Sequence, residues 1–143
     1  MLVRLLYASR TAKTVNADAL GAILKRSKEN NAGLGVTGVL CHCANAQLFL
    51  QVLEGGRSAV SALYNRIAQD ERHCDVVLLS YEEIGERSFS SWSMGQVSMS
   101  RLNPALVLKY SQSATLDPYA VSGAASLALL RELVATASIG MQA

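Results

Sequence analysis

The sequence predicts an α+β sandwich of the ferredoxin-like kind, a sheet with helices on one face, in the order β-α-β-β-α-β-β with a C-terminal helical extension. Two segments with apolar residues at helical spacing each lie between short apolar runs of strand character. Two of those runs follow one another across a few residues, as the arms of a hairpin do. The chain has 143 residues, half of them apolar and 17% charged, which suits one domain with one core and excludes a disordered chain.

Leu2 to Ser9 reads as the first strand, with Val3, Leu5 and Tyr7 on one face and Leu2, Arg4, Leu6 and Ala8 on the other. Asn16 or Asp18 can cap the helix that follows, which carries Leu20, Ile23 and Leu24 on one stripe and ends at Gly33 and Gly35. Val36–Cys43 and Leu48–Glu54 form the hairpin, turned at Ala44–Asn45–Ala46, and Gly55–Gly56 is a further turn. Val60, Leu63, Tyr64 and Ile67 then repeat at helical spacing as far as Asp70. Asp75–Tyr81 and Trp92–Met99 complete the strands. Beyond Arg101, Asn103–Pro104 starts a short helix, Asp117–Pro118 breaks the chain, and Ser122–Ala137 is helical with Leu127, Leu130, Leu133 and Val134 apolar. The expected organisation is a sandwich over residues 1–100 and an extension over 101–143 packed on the same domain.

Composition narrows the function. Thirteen basic and eleven acidic residues leave a net charge of +2, and the basic residues are scattered, so no nucleic-acid footprint is present. No apolar run reaches the roughly 18–20 residues that span a bilayer, and no signal peptide is read at the start, so membrane partners are not expected. Three cysteines, an odd count, suit free thiols in a reducing cytoplasm, the expected location.

Polar residues stand where the pattern asks for apolar ones. Positions 20, 24, 27 and 31 share one helical face, yet the last two are Ser27 and Asn31, with Asn30 beside them. A buried amide without a partner costs roughly 1–3 kcal/mol, so either something polar faces this stripe, or the helix end emerges into solvent, or Asn31 is part of a C-cap. Gln51 shares a face with Phe49 and Leu53, and Tyr7 with Val3 and Leu5. Each alone can be a satisfied core group; together, a tyrosine, a glutamine and an asparagine suit a flat heteroaromatic ligand with its own donors and acceptors. Trp92, Met94 and Gln96 are expected to point the same way along the last strand, as core filler or as pocket walls. Arg66 and Asp70 stand at i, i+4, as an exposed ion pair or as an arginine offered to phosphate or to a ring carbonyl.

Five blocks, LVRLLYAS, NNAGLGVTGVLC, LFLQVLEG, VSALYNRIAQDERH and RSFSSWSMG, resemble in sequence and in order the BLUF domains, blue-light sensors that use FAD. The resemblance covers Leu2 to about Met99, and LKYSQSATLDP resembles, more loosely, the tail of the short stand-alone members. It implies a flavin held between the two helices with its polar edge towards the sheet. By position, it implies that Tyr7 is the photoactive tyrosine and Gln51 the glutamine between that phenol and flavin N5/O4. It places Asn31 at the pyrimidine edge, with Asn30 and Ser27 in the same pocket and Arg66, Ile67 and Asp70 near the flavin on the second helix. Trp92 and Met94 match the pair that exchanges in and out of the pocket. The family's signature is a small red shift of flavin absorption that decays in the dark. The expected output is binding to a downstream protein partner or a change in a homo-oligomer, transmitted by the last strand to the C-terminal helices; no enzymatic activity is expected.

Three other readings compete. Cys41, His42, Cys43, His73 and Cys74 invite a metal site, but neither C-x-C nor adjacent His–Cys is a structural-zinc spacing, and buried free cysteines are the plain alternative. A small ferredoxin-like hydrolase would need a Gly-rich anion loop or a base–nucleophile pair, and His42 and His73 lack evident partners in the sequence. A flavin-free oligomerisation module would keep the fold alone.

Overall fold

A computed structural model describes residues 1–12, 16–43, 47–98 and 103–135. The Ala44–Asn45–Ala46 turn, Met99, the end of the tail from residue 136 and the Val134 side chain lie outside the described residues. The elements are β1 (Leu2–Thr11), α1 (Ala17–Leu34), β2 (Thr37–Cys43), β3 (Leu48–Gly56), α2 (Arg57–Gln69), β4 (His73–Ile84), β5 (Gly95–Ser98), α3 (Pro104–Tyr110) and α4 (Gly123–Ala135). The sheet order is β4-β1-β3-β2-β5, antiparallel throughout except for β2 and β5. Each of the first two helices thus bridges strands separated by one antiparallel neighbour, the ferredoxin-like arrangement.

Local chemistry sets the helix ends. Asn16 caps α1, its Oδ1 accepting the Ala19 N–H at 2.8 Å. Gly35 closes α1 at φ +69°, a left-handed conformation that costs glycine nothing. Asn103 caps α3, and Pro104 opens it where no N–H is needed.

The extension closes the far face of the sheet. One apolar cluster joins the Val3, Leu5 and Tyr7 face to Leu24 of α1 and Val60 of α2. The other joins Leu6, Ala8, Leu50 and Val52 to Val107 of α3 and to Leu127, Leu129, Leu130 and Leu133 of α4. Strands covered on both sides read as continuous apolar runs, which is why LFLQVLE shows little alternation. Gly123 lets the first residue of α4 sit on β4, because a Cβ there would collide with the Leu79 carbonyl.

Four boundaries differ from expectation. Gly55–Gly56 is the end of β3 and not a separate turn, and α2 begins directly at Arg57. Strand β1 continues to Thr11 and β4 runs from His73 to Ile84, longer than its apolar run, because β1 offers partners along its whole length. That pairing carries two bulges. Leu79 is extra between the Leu6–Ser80 and Tyr7–Leu78 pairs, and Asp75 and Val76 stand opposite Ser9 alone, with Asp75 at φ +49°. Strand β5 is short, Gly95–Ser98, and starts only after Trp92 and Met94 have been inserted on opposite sides of the sheet.

Arg4 and Glu54, on the face towards α4, form a buried ion pair at 2.8 Å. Glu54 also accepts the backbone N–H groups of Ser88 and Phe89 at 3.0 and 2.7 Å, while Arg4 reaches Glu82 and Ser88 Oγ, both at 2.7 Å. The carboxylate therefore ties the connection after β4 to the sheet. Ser126 of α4 is also fully buried, but its hydroxyl has no hydrogen-bond partner among the described residues.

These two sites should respond with opposite signs. Glu54→Ala, which takes from Arg4 its fully buried counter-charge, leaving only Glu82 and Ser88, and strands two N–H groups, is expected to destabilise by about 3–5 kcal/mol. Ser126→Ala, which removes only an unpaired hydroxyl, is expected to stabilise by about 1 kcal/mol. Urea denaturation of both variants checks the pair of signs.

Candidate functional site

A cleft of about 340 Å³ opens between α1 and α2 over the sheet. Its floor is Tyr7 from β1, Leu40 from β2, and Phe49 and Gln51 from β3. Ile23, Arg26, Ser27, Asn30 and Asn31 line one side from α1; Leu63, Arg66 and Ile67 line the other from α2; Asp70, Arg72 and His73 close one end.

The floor follows from register. Tyr7 and Gln51 are cross-strand partners, so their side chains leave the same face of neighbouring strands. Tyr7 donates its phenolic O–H to Gln51 Oε1. At the other end of the amide, Gln51 Nε2 donates to Met94 Sδ at 3.3 Å. A thioether is a weak acceptor, so that end of the amide is held loosely and a better acceptor can take its place. Burial, and secondarily the neighbouring Tyr64 with its ring centroid 5.6 Å away, push the Tyr7 pKa far above the usual phenol range. Tyr7 is therefore held as a neutral proton donor around neutral pH.

Asn31 is 1% exposed and takes part in the C-cap through its backbone, its carbonyl accepting the Gly35 N–H and, at 3.0 Å, the Val36 N–H, while its side-chain Nδ2 donates to the Ser93 carbonyl at 3.2 Å. One helix turn earlier, Ser27 is half-buried, while Asn30 stands exposed at the rim. The Arg66–Asp70 ion pair does not form. Asp70 is taken instead by Arg72, whose Nε and Nη2 reach its two oxygens at 3.0 and 2.6 Å, helped by the Arg72 N–H at 2.9 Å. Hydrogen bonding from the Arg72 side chain holds the Asp70 pKa down at about 2, against a smaller opposing effect of burial. Arg66 lines the cleft with no ion pair or hydrogen bond among the described residues.

Trp92 and Met94 do not point the same way. Met94 joins the cluster beneath the cleft, whereas Trp92 packs with Phe89, Val107 and Leu127 on the far face. Because the segment has not yet become a strand, the period-2 rule that put them together does not hold there. The cleft-lining residues thus include Tyr7, Ser27, Asn30, Asn31, Gln51, Arg66, Ile67 and Asp70; Met94 reaches it through Gln51, and Trp92 lies away from it.

Sequence reasoning missed Arg26, Arg72 and His73 as lining residues. Arg72 is two residues beyond Asp70, the spacing of an Asx turn, which was a readable signal. His73, thought partnerless, has Nδ1 2.8 Å from Ser9 Oγ, and Ser9 follows Tyr7 on the same face of β1. Burial lowers the His73 pKa, Asp70 opposes that, and Arg72 reinforces it. Cys41 is buried, its pKa pushed up to about 12 by desolvation, but Cys74 is exposed, so burial explains only the first. Among the described residues no three His, Cys, Asp or Glu side chains converge to hold a metal, and no helix is long and apolar enough to cross a membrane.

A neutral floor of phenol and amides between apolar side chains, with arginines at the rim, accepts a flat heteroaromatic ring that carries both donors and acceptors. The comparisons with known proteins agree with that chemistry. The family model described as sensors of blue-light using FAD, BLUF, matches residues 2–95. The photoactivated adenylate cyclase subunit beta of Euglena gracilis is 37% identical over 94 residues, which make up 65% of this chain and 11% of that much longer protein. Among solved structures, BlrB, a BLUF protein in its dark state, superposes with a TM-score of 0.78 at 32% identity, covering 95% of this chain and 96% of its own. BlsA in its photo-activated state superposes at 0.81 with 32% identity, covering 94% and 95%.

The Arg72–Asp70 clamp has a pH signature. With the folded pKa depressed, its contribution to stability is complete above pH 4 and is lost as pH falls through about 2. The Asp70 carboxyl resonance should titrate near pH 2 by NMR, and Arg72→Gln should return it towards the usual carboxylate range.

Proposed function

The chain belongs to the BLUF family, the sensors of blue light using FAD, and on that premise we propose that its own cleft holds FAD and signals by rearranging the hydrogen bonds of Tyr7 and Gln51. The observation that carries this reading is the Tyr7–Gln51 hydrogen bond on the floor of the cleft, with the far end of the Gln51 amide on a weak sulfur acceptor. When bound, the flavin supplies absorption of blue light and an excited state that is a strong oxidant.

The residues divide the remaining work. Tyr7 keeps its proton in a dry site and offers it directly to the Gln51 oxygen. Gln51 has a donor end and an acceptor end, so a half-rotation swaps which end meets Tyr7 and which meets the ligand, whereas a tautomeric change leaves the ends in place and reverses which of them donates. Either change breaks or weakens the contact to Met94, whose chain neighbours carry the result outward. Asn31 holds the pyrimidine edge of the ring while its amide also secures the Ser93 carbonyl. Ser27, Asn30, Arg66, Ile67 and Asp70 line the space around the ring and its tail. Tyr7, Gln51 and Met94 are thus the photoactive set, and Trp92, packed on α3 and α4, passes displacement of its segment to those helices. The protein acts in the cytoplasm, and its output is a change in binding to a downstream protein partner or in its own assembly.

Absorption spectra before and after blue illumination test this. The parent is expected to purify yellow and to shift reversibly to the red. Tyr7→Phe and Gln51→Leu should each retain flavin and lose the shift, while Asn31→Ala should lower flavin occupancy. A Tyr7→Phe variant that shifts like the parent overturns the assigned roles.

A further inference from the structure

We propose that Glu54 is a positioning residue for the light response: its carboxylate pins the start of segment 88–94 and so sets how Met94 is presented to Gln51. The role rests on the photoreceptor reading above. Glu54 is not among the residues that line the cleft. It stands opposite Arg4 across β1 and β3 and is fully buried on the face towards α4, the other side of the sheet from the Tyr7–Gln51 bond.

The hold on the segment weakens along its length. At the start, Glu54 Oε2 accepts the Ser88 N–H at 3.0 Å and Oε1 accepts the Phe89 N–H at 2.7 Å, while Arg4 Nη2 donates to Ser88 Oγ at 2.7 Å. Hydrogen bonds to an ionised group are roughly twice as strong as neutral ones. The Phe89 ring is itself fully buried in the far-face core. Further on, the bonds are neutral: the Trp92 carbonyl accepts the Gly38 N–H at 3.1 Å, and the Ser93 carbonyl accepts from Asn31 Nδ2 at 3.2 Å. The last partner is Met94 Sδ, 3.3 Å from Gln51 Nε2, and sulfur is a weak acceptor. Between the two ends, Ser90 and Ser91 are exposed. The segment is thus built to yield at Met94 and to stay fixed at Phe89.

A carboxylate is what position 54 requires. Among the described residues its two oxygens take three donors, Arg4 Nε at 2.8 Å and the two backbone N–H groups. A glutamine there has one acceptor oxygen, and its NH2 confronts at least one of those donors. Glu54→Gln therefore keeps the volume and loosens the start of the segment. When Gln51 rearranges, its contact to Met94 is broken or weakened, and the way back needs Met94 to be offered to the amide again. A segment with a loose start spends less of its time in that position, so the return is slower.

Two measurements on the flavin-loaded full chain test this. In the parent, amide hydrogen exchange followed by NMR in the dark and under continuous blue light should leave the Ser88 and Phe89 amides unchanged within about twofold, while the Gly38 amide exchanges at least about tenfold faster in the light. Glu54→Gln should bind flavin and shift to the red as the parent does, yet recover in the dark at least about threefold more slowly. Val3→Ala opens a cavity in the core four residues before Tyr7, outside the cleft lining. It controls for lost stability and should recover within about twofold of the parent. Ser88 and Phe89 amides that lose protection in the light overturn the anchor, as does a Gly38 amide that does not respond. So does Glu54→Gln recovering at the parental rate, or Val3→Ala slowing recovery as much. If Glu54→Gln does not fold, the exchange measurement on the parent decides. A parent that never shifts to the red strikes the photoreceptor reading and the anchor together, whereas a parent that shifts normally while one of these expectations fails strikes the anchor alone.

Discussion

Where helices cover both faces of the central strands, a side chain that leaves the sheet meets little water, and a polar group there is costly unless it finds a partner inside the protein. This constraint organises the molecule. On one face it joins Tyr7 to Gln51 and Gln51 to Met94; on the other it joins Arg4 to Glu54 and Glu54 to two backbone N–H groups. The two sets differ in kind. The charged set is saturated by strong partners and acts as an anchor, whereas the neutral set ends on a sulfur atom that gives up its donor cheaply. The firmly and the loosely held sets thus lie on opposite sides of one strand, three residues apart at Gln51 and Glu54.

The segment from Ser88 to Met94 connects them. Glu54 holds its start, the Gly38 N–H donates to the Trp92 carbonyl at 3.1 Å, Asn31 holds Ser93, and Gln51 touches Met94. Trp92 lies in one core and Met94 in the other, with a single residue between them. The amides of the cleft are therefore joined to the helices behind the sheet by a short stretch of chain, whose start is anchored by Glu54.

Much of this was legible in the sequence, for physical reasons that differ by residue. The strand and helix order followed from periodicity, and the faces of β1 followed from alternation, so Tyr7 and Gln51 could be placed before their contact was known. The burial of Asn31 was not decidable, because a polar residue near a helix end can emerge into solvent, join the cap or face a polar partner; the structure excludes the first and joins the other two, the backbone serving the cap and the side chain the Ser93 carbonyl. Trp92 and Met94 were misjudged because alternation was applied before the strand begins. The Asp70–Arg72 pair was missed in favour of the i, i+4 partner Arg66, since helical spacing ends with the helix at Gln69 and a two-residue turn takes over. The roles of these groups came from the family resemblance, whereas their neighbours Arg26 and His73 emerged only from three-dimensional packing.

The irregular edge of the sheet has a consequence of another sort. Strand β4 is long, peripheral and partly greasy, with Val77, Leu78 and Tyr81 each more than two-fifths exposed. A straight ribbon of that composition would recruit further ribbons and drive fibrous self-association. Its two extra residues and the left-handed Asp75 twist the free hydrogen-bonding groups out of line, and the Tyr119 hydroxyl occupies the Asp75 carbonyl at 2.8 Å. The margin is thereby made a poor template for edge-to-edge pairing, while its apolar surface stays open to solvent.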